Sequence, residues 1–262
     1  MCFFGGVIMR EQAKKNKTAW EYRAYEFWNN EGTPKEVAEQ LKADPLSKLK
    51  LHQKYFNNIH GMKVANVCGS SGRRAAALAL LGADVTVFDI SEENKRYALE
   101  LADCADVSIK YEIGDFCETN MNIYKNFFDM AYAEGGILHY FSDIDIFMET
   151  IYELLKPNGE LILSDFHPFR KINSVGSFMF SVPQTGGDYF NSNIFNGDVA
   201  YKSFFKDDEQ SSFPDCSLRF YTLSEIINAV IRAGFTIREF NEHPNYENEK
   251  IPGLFTIFAV KE

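Results

Sequence analysis

From residue 62 onward, short apolar runs alternate with longer stretches whose apolar positions recur at helical spacing. MKVANVC (62–68) and ADVTVFD (83–89) read as buried strands, and VSIKYEI (107–113) alternates like a third. FFDMAYAE (127–134) and ELILSDF (160–166) read as a fourth and a fifth. Helices are predicted between them: Gly72 to Leu81, ended by Gly82; a Ser91-capped stretch to about residue 104; and 142–155, followed by a Pro157-Asn158-Gly159 turn. Regular strand–helix alternation predicts a mostly parallel sheet covered on both faces. After Thr222-Leu223-Ser224-Glu225, a capping box opening a helix to about Ala233, come FTIREFNE (235–242) and LFTIFAVK (254–261). Their connection is too short for a crossover helix, so they are expected to pair as an antiparallel hairpin.

Two segments lie outside this rhythm. Before any strand, helices are expected over 18–30, from Thr33-Pro34-Lys35-Glu36 onward, and over 45–58. The first carries Trp20, Tyr25 and Trp28 at helical spacing, with Tyr22 off that face. Residues 168–216 are rich in Ser, Asn, Gly and rings, including Phe178, Phe180, Tyr189, Phe190, Tyr201, Phe204 and Phe205. So long a segment without a clear helix is expected to be a substrate lid. The domain reading is therefore an N-terminal helical cap over 1–60, a core over 61–167 and 217–262, and a lid insertion over 168–216. Residues 1–8 are expected to be a loosely held arm, or Met9 the natural start.

The 262-residue chain has a net charge of -10, which disfavours nucleic acid and membrane surfaces as partners. Its five cysteines are widely spaced with no C-x-x-C, as expected for reduced thiols of a cytoplasmic protein without a metal site. Oligomeric state is left open.

Candidate chemistry collects at the carboxyl ends of the predicted strands, where open parallel sheets bind ligands. Gly69 and Gly72 follow strand one; Asp89 ends strand two and could accept from a ribose diol; Asp115 follows strand three and could accept from an adenine amino group. Glu134-Gly135-Gly136 follow strand four, and Asp165 and His167 follow strand five. Each alone reads as a turn residue, whereas their order together reads as a cofactor site. Neither G-x-G-x-x-G nor a P-loop is present, so a pyrophosphate has few backbone donors to meet it.

The segments VANVCGSSG (64–72), VTVFDIS (85–91), GDF (114–116), FDMAYAEGGILHYFSD (128–143) and LLKPNGELILSDFHPF (154–169) resemble the class I S-adenosylmethionine-dependent methyltransferases, small-molecule enzymes of bacterial type, from about residue 18 to 262. The resemblance implies a Rossmann-like α/β fold: a seven-stranded, mostly parallel sheet with helices on both faces, an antiparallel C-terminal hairpin and an N-terminal helical lid. It implies that the loop Cys68, Gly69, Ser70 and Gly72 passes under the methionine part of S-adenosylmethionine. Asp89 would hold the ribose with Ile90 against the adenine, Asp115 would take the adenine amino group with Phe116 beside the ring, and Glu134 and Gly135 would lie near the sulfonium. Where the family's loop reads Asp-x-Gly-x-Gly-x-Gly, this chain has Asn66, Cys68, Ser70 and Gly72. Asn66 keeps an acceptor oxygen, while Cys68 and Ser70 carry side chains that restrict positive φ. Arg73 and Arg74 open the following helix at its positive end and are read as solvated, with pairing of one of them to a carboxylate as the alternative.

In-line methyl transfer to a small molecule is the implied reaction. His139 and His167 are the candidate bases, with packed, structural imidazoles as the equal alternative, and Asp165 and Glu134 are weaker candidates because carboxylates near a sulfonium can serve electrostatics alone. Tyr22, Tyr25 and Trp28 are candidate cofactor contacts, with simple packing of the stripe as the commoner alternative, and a ring-rich lid suits a compact, partly apolar substrate. A non-catalytic S-adenosylmethionine-binding sensor and a nicotinamide oxidoreductase are the rival readings.

Overall fold

A computed structural model of the chain describes residues 10–172 and 187–262. The strands are β1 (Lys63–Val67), β2 (Asp84–Asp89), β3 (Ile109–Ile113), β4 (Phe128–Glu134), β5 (Leu155–Phe166), β6 (Ile194–Gly197), β7 (Cys216–Arg219), β8 (Phe235–Pro244) and β9 (Pro252–Lys261). Seven of them form one sheet in the order β3-β2-β1-β4-β5-β9-β8, parallel except for β9, which is antiparallel to both β5 and β8. Strand order reverses between β1 and β4, and that switch point opens a crevice at the strands' carboxyl ends.

The helices are α1 (Glu11–Glu21), α2 (Ala24–Asn30), α3 (Pro34–Ala43), α4 (Arg73–Leu80), α5 (Glu92–Cys104), α6 (Met121–Tyr124), α7 (Ile144–Leu154), α8 (Asp207–Gln210) and α9 (Leu223–Arg232). Pleating sends Ala65 and Val67 of β1 to a core covered by Phe147 and Ile151 of α7 and Ile226 and Val230 of α9. Val64 faces the other core, with Leu41 of α3, Leu78 of α4 and Leu101 of α5. Burial on both faces is why these strands read as continuous apolar runs. Both capping boxes form, Thr33 with Glu36 and Thr222 with Glu225.

Two predicted helices differ. The 18–30 helix is two helices that begin earlier, at Glu11. The buried side of α1 consists of Ala13, Asn16 and Ala19, which carry no apolar stripe for the sequence to reveal. Arg23 breaks α1 from α2 at φ 55 and forks onto Glu26 at 2.7 and 2.6 Å. The 45–58 helix is two 3₁₀ turns, Pro45–Lys48 and Lys50–Tyr55, interrupted at Leu49 (φ -119, ψ 4).

Part of the 168–216 segment is folded onto the N-terminal helices. β6 and β7 pair antiparallel. Ala19, Ala24 and Phe27 pack with Val199, Tyr201, Phe205, Phe213 and Leu218 as a third core. The Tyr201 hydroxyl donates to the carbonyls of Ala19 and Tyr22 at 3.1 and 2.9 Å. Phe178, Phe180 and residues 1–8 lie outside the described residues. Among the described residues no helix is long and apolar enough to cross a membrane.

Candidate functional site

The crevice is a cavity of about 540 Å³, within the range that holds a cofactor-sized ligand. It brings together Asn66, Cys68, Gly69, Ser70, Asp89, Ile90, Asp115, Phe116, Glu134 and Gly135 from the ends of β1, β2, β3 and β4. The opposite wall comes from Arg10, Asn16, Trp20, Phe27, Trp28 and Tyr201.

The β1–α4 loop is built around its two glycines in different ways. Gly69 is needed for space, because a Cβ there would lie 2.3 Å from Asn66 Oδ1 and 2.7 Å from Val87. Gly72 has φ 68 and abuts Ala98, so it lies behind the loop rather than on the cavity wall. The left-handed positions that glycine would fill most easily are held by Cys68 (φ 52) and Ser70 (φ 48). The loop thus keeps its backbone path with side chains added, at a cost of roughly 1–2 kcal/mol each. Its anchors are Ser70 N–H, which donates to Asp89 Oδ2 at 3.0 Å, and the Tyr111 hydroxyl, which donates to Ser70 O at 2.6 Å. Replacing Ser70 by glycine is expected to raise stability by about 1 kcal/mol, the relieved strain exceeding the added chain entropy. The midpoint of urea unfolding checks it.

Asp89 is nearly buried and also accepts from Ser91 N–H at 3.0 Å and the Asn94 amide at 3.2 Å. Burial raises its pKa, and these donors offset part of that rise. Asp115 is gripped by the Arg10 guanidinium and by Cys117 N–H. Glu134 pairs with Arg74. Arg73 donates to the carbonyls of Trp28 and Gly32 and to the Tyr97 hydroxyl. Both arginines are therefore engaged rather than simply solvated.

Among the described residues, Asn66 Oδ1 and Ser70 Oγ are buried at this wall without hydrogen-bond partners. Unmet buried polar atoms facing a cavity fit a polar ligand that supplies what is missing. No group of three or more His, Cys, Asp or Glu among the described residues could hold a metal ion.

Four expected contacts are placed elsewhere. Tyr22 packs edge-on against Phe213, and Tyr25 donates to Glu100 at 2.5 Å beside Tyr97. Trp28, the third ring expected there, does line the cavity, and Trp20 lines it too. His139 is buried among Tyr140, Phe166 and Phe220, where burial pushes its pKa down to about 3. His167 caps a turn by accepting from Phe169 N–H at 3.1 Å, and its Nε2 lies 2.9 Å from Glu242. Neither imidazole lines the cavity. Asp165, also off the wall, accepts from Ile137 and Leu138 N–H at 2.8 Å each, with its pKa raised by burial to about 6.

His52, unremarked in the sequence, sits in a buried polar chain with Tyr132 Oη at 2.9 Å and Thr256 Oγ1 at 3.1 Å. Burial lowers its pKa from 6.5 to about 4. The imidazole is neutral when folded and takes a proton once unfolded, so its stabilising share is complete above pH 6.5 and shrinks as pH falls toward 4. The stability gap between wild type and His52→Gln is expected to narrow on acidification by up to about 1.4 kcal/mol per pH unit across that window. Urea titrations at stepped pH give the slope, and a gap independent of pH would contradict it.

Residues 66–163 match the methyltransferase domain family. Over 107 residues, 40% of this chain, the sequence is 32% identical to phosphoethanolamine N-methyltransferase 1 of Arabidopsis thaliana; the match spans 21% of that protein. The fold is similar to an S-adenosylmethionine-dependent methyltransferase from Mesorhizobium loti, with TM-score 0.60, 19% identity, and 79% of this chain and 94% of that one covered. It is also similar to magnesium protoporphyrin IX methyltransferase from Synechocystis PCC 6803 with bound SAH, with TM-score 0.61, 15% identity, and coverage of 96% and 100%. At these identities the likeness to the solved structures is one of fold.

Proposed function

We propose that the chain is a class I S-adenosylmethionine-dependent methyltransferase that uses S-adenosylmethionine as its cofactor and methylates a small molecule at the crevice where β1 and β4 part, a reading supported by the methyltransferase-domain match over residues 66–163 and by the fold's likeness to solved methyltransferases. The observation that carries this reading is the single cavity uniting the ends of β1, β2, β3 and β4. When bound, the cofactor supplies a methyl group activated by its sulfonium.

Every other contribution belongs to the chain. Asp89 holds the ribose hydroxyls, its carboxylate fixed by Ser70, Ser91 and Asn94. Ile90 and Phe116 flank the adenine, and Asp115 accepts from its amino group. Asn66 Oδ1 and Ser70 Oγ gain partners from the amino-acid end, with Glu134 and Gly135 beside it. Trp20, Phe27, Trp28 and Tyr201 exclude water and narrow the approach, so that a nucleophile is held in line. Neither His139 nor His167 is given the role of base, because both are turned into packing and capping. Positioning carries the reaction.

The test is turnover of labelled S-adenosylmethionine against a panel of small amines, phenols, thiols and acids, with phosphorylated amines first because of the Arabidopsis relative. Label passing to one class of acceptor supports the enzyme. Cofactor binding with no acceptor in the panel favours the sensor reading.

A further inference from the structure

We propose that Arg10 is a positioning residue of the cofactor pocket: it fixes the Asp115 carboxylate so that one open lone pair receives the adenine amino group. The inference rests on the cofactor reading above. Arg10 immediately precedes α1 and reaches across the cavity mouth to a residue 105 positions away. Its Nε meets Asp115 Oδ2 at 2.8 Å, and its Nη2 meets Oδ1 at 2.8 Å. Cys117 N–H also donates to Oδ1, at 3.1 Å. A carboxylate oxygen accepts about two hydrogen bonds, so Oδ1 is filled and Oδ2 keeps one position open.

The Asp115 side chain is 2% exposed and the Arg10 side chain 28%, so the pair lies at the dry edge of the cavity. A two-point fork fixes the plane of a carboxylate as well as its distance. A lysine would supply the charge without the plane. Without Arg10, only the Cys117 amide would restrain the carboxylate, which would be free to turn. Two other acids of the cavity have other partners: Asp89 is set by the loop amides and Asn94, and Glu134 pairs with Arg74. The helix has its own tie. Asn16 donates to the carbonyls of Tyr140 and Ser217 and accepts from Ser217 N–H. Removing the guanidinium therefore leaves α1 docked.

The test separates a positioning role from a mere wall by deleting the adenine amino group. S-adenosylhomocysteine and its 6-deamino purine analogue are titrated calorimetrically into the full chain and into Arg10→Met, Arg10→Lys and Asp115→Ala. The wild type is expected to prefer the parent by about 10-fold, the worth of one good buried hydrogen bond. Arg10→Met should compress that preference to within about 3-fold, Arg10→Lys should recover part of it, and Asp115→Ala should erase it. Equal weakening of both ligands by Arg10→Met would make Arg10 only a wall and overturn the proposal. Tighter binding of the parent by Arg10→Met would show the guanidinium occupying the adenine's place, which also overturns it. A wild type that binds neither nucleoside instead removes the underlying cofactor reading.

Discussion

Asp89→Ala is expected to weaken S-adenosylhomocysteine binding by about 100-fold or more, the loss of two hydrogen bonds to a charged acceptor. The carboxylate lies at the end of β2, beside the switch point, and is nearly buried. Its oxygens are aimed by Ser70 N–H, Ser91 N–H and the Asn94 amide. Alanine would remove the proposed ribose acceptor and leave those donors facing an emptied site. It would also free the Cys68–Ser70 turn, whose strained backbone is tied down through Ser70 N–H. Asp89→Asn separates the two effects, since it keeps the shape and an acceptor oxygen while losing the charge. Its binding is expected to fall between that of wild type and alanine. Calorimetry on the three proteins checks the order, and an alanine variant that binds like wild type would remove Asp89 from the site.

The second large effect is on stability. Gly72→Ala is expected to cost about 2–4 kcal/mol, combining a left-handed alanine with overpacking between α4 and α5. The residue has φ 68, and an added Cβ would stand 2.5 Å from Ala98 Cβ and 3.2 Å from Ala98 Cα. Backbone and a short side chain on α5 cannot swing aside, so α4 must tilt away and carry the cofactor loop with it. A loss of that size is a large share of the 5–15 kcal/mol typical of a domain. Urea unfolding measures it. The opposite sign expected for Ser70→Gly makes the pair a direct test: the same loop should reward glycine at one position and reject alanine at another.

The sheet was legible because its central strands are buried on both faces and stand out as apolar runs, and the antiparallel last strands followed from the short link between them. The acidic side chains at successive strand ends were legible because an open sheet gathers its strands' carboxyl ends in one place. The opposite wall was not. Arg10 and Asp115 meet across 105 residues, and a lone arginine ahead of a polar helix carries no local signal. Tyr25 and Trp28 share a helical stripe, yet the fold turns Trp28 inward and Tyr25 toward Glu100. The stripe predicts a buried side without saying which ring will border a cavity. His139 and His167 follow the strands expected of a base, but aromatic packing and turn capping had first use of them. The loop substitutions Cys68 and Ser70 argued against positive φ, and the fold imposes it anyway, because Ser70 N–H and the Tyr111 hydroxyl hold the turn from both sides.

The measurement that bears most directly on the central claim is calorimetric titration of the intact chain with S-adenosylhomocysteine and, separately, with NAD. Saturable binding of S-adenosylhomocysteine at a single site, with no binding of NAD, is the expected result. Saturable NAD binding with no heat from S-adenosylhomocysteine would contradict it.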